Sequence, residues 1–112
     1  MSTVEQVSAS KLDELVRRIV EAVDPLRIIL FGSAARGEMR PDSDIDVLVV
    51  MPEGTKRREI EGQLYVKMLG MQVPVEIVVA TPSDLVRYRD TKGLIYHNVV
   101  REGTDLYVQP NT

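Results

Sequence analysis

A chain of 112 residues, 44% hydrophobic and 28% charged, has the make-up of one soluble globular domain with a modest core. Its net charge of -3 argues against a protein that grips nucleic acid through phosphate contacts, and its densest basic run, Lys56 to Arg58, is short and acid-flanked. The absence of cysteine excludes disulfides, thiolate metal sites and a cysteine nucleophile; with no signal-like start and no apolar run near the ~20 residues of a membrane span, the expected location is cytoplasmic.

Residues 1–9 are polar and aperiodic and read as a flexible N-terminus. A helix is predicted from Ser10, which forms a capping-box-like pair with Asp13. Leu12, Leu15, Val16, Ile19, Val20 and Val23 give it one apolar face, and Pro25 ends it. The run "LRIILF" (26–31) predicts a buried strand punctuated by Gly32. "SAARGE" has room for one or two helical turns, and "MRPDSD" reads as a loop. "DIDVLVV" (44–50) is a second strand, closed by "PEG".

Residues 55–70 read as a helix with an Ile60, Leu64, Met68 stripe and a stop at Gly70. "VPVEIVVA" (73–80) is a third strand whose Pro74 marks an edge or a strand start. Thr81-Pro82-Ser83-Asp84 is a helix start, with Thr as N-cap, Pro at N1 and Asp at N3. "GLIYHNVVREG" predicts a last helix, with Gly103 beyond its end, and "DLYV" (105–108) a final short strand. Residues 10–108 thus form a single α/β (α+β) domain, and 109–112 a tail.

The chemistry concentrates in "ILFGSAARGEMRPDSDIDVLV". Side chains two apart on a strand share a face, so Asp44 and Asp46 lie together, with Cα atoms at most about 7 Å apart. Crowded carboxylates raise one another's pKa unless a cation compensates, and Mg²⁺ favours such oxygen ligands. An acidic turn in water is the bland alternative for the same residues. Gly32-Ser33 after a strand suits close phosphate approach, or merely a turn and a cap; Arg36 adds a phosphate contact or is solvated. Asp42, beside Pro41, reads as a turn residue. His97 and the four tyrosines read as packing, interface or solvent-facing residues rather than catalytic groups.

Taken together, Gly32-Ser33, ten residues, then Asp44-x-Asp46 form G-S-x(10)-D-x-D. This resembles the signature of the nucleotidyltransferase superfamily related to DNA polymerase β, and the fuller string looks like the minimal nucleotidyltransferases of prokaryotes. The resemblance covers residues 10–108 and implies a polymerase β-like fold, a small mixed sheet flanked by helices. It implies transfer of a nucleoside monophosphate, AMP from ATP or another NTP, to an acceptor hydroxyl. It further implies Asp44 and Asp46 as catalytic ligands of one or two Mg²⁺ and Gly32, Ser33 and Arg36 at the nucleotide. The family's third carboxylate falls on Glu76, an acid in an otherwise apolar strand, where many members carry Asp. Minimal nucleotidyltransferases are commonly paired with small helical HEPN proteins as antitoxins. The expected partners are therefore an NTP and a HEPN protein, in a homo- or hetero-oligomer, with neither membrane nor direct nucleic-acid contact. The rival expectation is an antitoxin that acts by direct binding, with weak or no catalysis.

Overall fold

The computed structural model describes residues 3–32, 35, 44–88, 99 and 101–110. Its elements run α1 (Thr3–Val23), β1 (Arg27–Phe31), β2 (Ile45–Val50), α2 (Arg57–Lys67), β3 (Val75–Ala80), α3 (Pro82–Tyr88) and β4 (Thr104–Val108). Val99, Arg101 and Glu102 are also helical. The strands form one four-stranded sheet in the order β3-β2-β1-β4. β1 is antiparallel to both β2 and β4, whereas β2 and β3 are parallel and joined through α2. The expected small mixed sheet flanked by helices is therefore what the chain forms.

The two central strands are apolar on both faces, which explains their unbroken greasy runs. On one face Ile28, Leu30, Ile45, Val47 and Val49 meet Leu15 and Ile19 of α1 and Leu64 of α2. On the other, Ile29, Phe31, Leu48, Val50 and Ala80 form a second cluster with Val99. The edge strand β4 is half exposed, and its pairing with β1 shifts register between Ile28 and Ile29. The other edge is β3, and Pro74 directly precedes it, as expected of a residue with no N–H to give a ladder.

α1 starts at Thr3, upstream of the predicted Ser10, so Ser10 lies inside the helix and does not cap it. Glu5, Gln6 and Ala9 are good helix formers, and no Gly or Pro interrupts the chain before Pro25. The predicted apolar stripe faces the sheet: Leu15 and Ile19 are fully buried, and Leu12, Val16, Val20 and Val23 pack around them. α2 is shorter than its pattern. After Lys67 the chain turns, and the Arg18 guanidinium donates to the carbonyls of Lys67 and Leu69, both at 2.8 Å. Gly70 then takes a left-handed φ of 86°. Gln109, expected in the tail, is tied down: its N–H donates to Leu26 O at 2.8 Å and its amide to Asp24 Oδ1 at 3.3 Å. Among the described residues, no helix is long and apolar enough to cross a membrane.

Candidate active site

The acids gather where β1 ends and β2 and β3 begin. Asp46 occupies the second position of β2, between Ile45 and Val47, both fully buried on the opposite face. Those neighbours fix the strand, so the Asp46 carboxylate is carried on a rigid support. In register, Asp46 faces Phe31 of β1 on one side and Glu76 of β3 on the other. Paired positions on adjacent strands point to the same face, with strands about 4.8 Å apart. Asp46 and Glu76 are thus side by side. A hydrogen bond from Ile45 N–H to Pro74 O, 2.9 Å, locks the two strand starts together.

Gly32 closes the third side. It follows Phe31 with a φ of 75°, a conformation that side chains other than glycine rarely adopt. A Cβ at this position would run into the Asp46 carboxylate. The glycine therefore both turns the chain and leaves room for the acid. Asp44 lies just before β2 and is exposed.

Glu76 is exposed on an edge strand, so its charge is not buried. What distinguishes it is its position beside Asp46. Among the described residues, no three acids or histidines converge tightly enough to form a metal cluster. The donor chemistry nevertheless fits a hard cation: two in-register carboxylates, with a third just upstream, offer only oxygen ligands. Ser33, Arg36, Asp42, Tyr96 and His97 lie outside the described residues. Tyr107 packs against the first apolar cluster, Tyr88 is half-buried and Tyr65 is 73% exposed.

A second polar cluster, at the opposite ends of β2 and β3, was only half legible. The capping residues were visible in the sequence: Thr81 N–H and hydroxyl donate to Asp84 Oδ2 at 3.0 and 3.1 Å. Their partners were not. Arg57 of α2 also donates to Asp84, and Glu53 accepts from the Ser83 N–H and hydroxyl, both at 2.8 Å. Burial opposes ionisation of Asp84, but hydrogen bonds from Thr81 and the charge of Arg57 hold its carboxyl below the usual range. The Ser83 N–H and hydroxyl lower Glu53 in the same way.

Known proteins resemble this chain in sequence and in fold. The chain matches the model of the nucleotidyltransferase domain over residues 11–102. It is 26% identical over 98 residues to a Methanocaldococcus jannaschii protein named "Putative protein adenylyltransferase", covering 85% of this chain and 97% of that one. A solved structure described as a "putative minimal nucleotidyltransferase" superposes with a TM-score of 0.59 at 28% identity, covering 92% of this chain and 95% of the other. A toxin–antitoxin structure with AMP-PNP superposes with a TM-score of 0.60 at 23% identity, covering 87% of this chain and 73% of the other.

Proposed function

Because the chain belongs to the nucleotidyltransferase domain family and is a nucleotidyltransferase, we propose that it moves AMP from ATP to an acceptor hydroxyl, a tyrosine of a small HEPN partner, as an antitoxin. The observation that carries the site is the in-register pair Asp46 and Glu76, with Gly32 against Asp46. The M. jannaschii relative's name supports the adenylyl group and a protein acceptor. The toxin–antitoxin neighbour with AMP-PNP supports a protein partner and a nucleoside triphosphate.

In this reading Asp46 and Glu76, with Asp44 just upstream, would hold one or two Mg²⁺. When bound, Mg²⁺ neutralises phosphate charge and favours the ionised acceptor. Gly32 lets the backbone come close to the triphosphate, and Ser33 and Arg36 contact its outer phosphates. The acceptor oxygen bonds to the α-phosphorus while the bond to the pyrophosphate oxygen breaks. The hydroxyl proton leaves through Glu76, whose exposure gives it a path to water. Placement and charge neutralisation carry the rate, because the protein forms no covalent bond. A chain with no cysteine suits the reducing cytoplasm.

That no three acids among the described residues converge into a tight metal cluster favours a second reading, in which the same domain neutralises its partner by binding alone. One experiment separates the two. The protein is incubated with α-labelled ATP, Mg²⁺ and a HEPN protein encoded beside it. Label on a partner tyrosine, lost in Asp46→Asn while the complex still forms, supports transfer. A stable complex without label or pyrophosphate release overturns transfer and supports binding.

A further inference from the structure

α3 is attached to the molecule differently from α1 and α2. Those helices seat fully buried Leu15, Ile19 and Leu64 in the first apolar cluster. In α3, Leu85 packs against the second cluster and is only half-buried, while Val86 is 69% exposed. Among the described residues, what fixes α3 is chiefly polar. Asp84 is clamped by Arg57 and by both donors of Thr81, and Glu53 holds the N–H and hydroxyl of Ser83. Glu53 belongs to the turn after β2, which is closed by its own bonds: Thr55 N–H and hydroxyl donate to Pro52 O at 3.2 and 2.7 Å. The clamp therefore joins a rigid turn and the first turn of α2 to the start of α3.

We propose that α3 is a separately releasable element, held to the fold by this clamp and able to open while the sheet and its α1–α2 layer stay folded. Apolar attachment scales with buried area, and among the described residues α3 places only the half-buried Leu85 against either cluster. Asp84 is buried, but the Arg57 side chain that pairs with it is 47% exposed, so water reaches the clamp from the Arg57 side. Opening α3 thus costs less than opening the molecule. Leu85 packs on the sheet face that carries Asp46 and Glu76, but the inference does not depend on what they do.

Amide-resolved hydrogen exchange of the full chain, at a series of low denaturant concentrations, tests it. The Leu85–Tyr88 amides are expected to exchange at least roughly tenfold faster than those of Val47–Val49, with a weaker denaturant dependence. Glu53→Ala and Arg57→Ala should each speed the α3 amides by roughly tenfold and keep α3 ahead of β2. A common rate and denaturant dependence for α3 and β2 in the unsubstituted chain overturns the proposal, as do α3 rates unaffected by both substitutions.

Discussion

Gly32 and Gly54 share a left-handed backbone but not a setting. A Cβ on Gly54 would meet nothing within 4 Å, whereas one on Gly32 would strike the Asp46 carboxylate. Gly54→Ala should therefore cost only the conformational strain, about 1–2 kcal/mol, read as a lower urea midpoint. Gly32→Ala carries the same strain and also displaces an acid of the candidate site. It should lose at least roughly tenfold in nucleotide turnover, while Gly54→Ala keeps its activity at a matched fraction folded. Equal turnover in the two variants would detach Gly32 from the chemistry. The motif made Gly32 and Asp46 legible as residue types at a spacing. Their collision distance was not legible, because it depends on how β1 and β2 pair. Glu76 was found by its isolation in an apolar strand, yet the strand proved to be an edge and the acid exposed. Periodicity reports which residues share a face, not whether a neighbour covers it.

At the scale of elements, the apolar runs located all four strands and the stripes located α1 and α2, since burial writes itself into local pattern. Ends were less legible because distant residues set them. Arg18 reads as a polar-face residue of α1, paired with Glu14 four residues before it. In the fold it also satisfies two carbonyls at the end of α2, 49 and 51 residues away in sequence. Those carbonyls have no intrahelical partner of their own. Arg18→Met should keep the stem's packing and remove the donors, costing roughly 1–2 kcal/mol in urea unfolding. Arg17→Met, on the exposed face of α1, should stay within about 0.5 kcal/mol of the unsubstituted chain. If the two variants unfold at the same midpoint, Arg18 does not cap α2.

For the whole molecule, strand order was the part that local pattern leaves unspecified: β4 returns from the chain's end to lie beside β1, paired through Arg27 and Asp105 at 2.7 Å. Two apolar clusters on the faces of one sheet carry no charge, so acid must act on the fold through its polar joints. Three carboxylates among the described residues are held low by such joints. Arg18 lowers the pKa of Glu14, Ser83 that of Glu53, and Thr81 with Arg57 that of Asp84 against the opposing effect of burial. The sign follows from proton counting. A carboxylate lowered in the folded state holds fewer protons there than in the unfolded chain, so its stabilisation is complete above the unfolded value and disappears as pH falls through the folded one. The ordinary values are 4.5 for Glu and 3.8 for Asp, which puts the window at and below them. The urea midpoint should be level from about pH 8 to about pH 5 and fall steadily under about pH 4.5. Asp84→Asn should start lower at neutral pH, because Arg57 loses its charged partner, and should decline less on acidification. The convergence of the two curves in acid measures what the α3 clamp contributes to the whole fold, independently of any catalytic role of Asp46 or Glu76. Parallel curves would mean that Asp84 is equally lowered in the unfolded chain, and that the acid limb arises at other carboxylates.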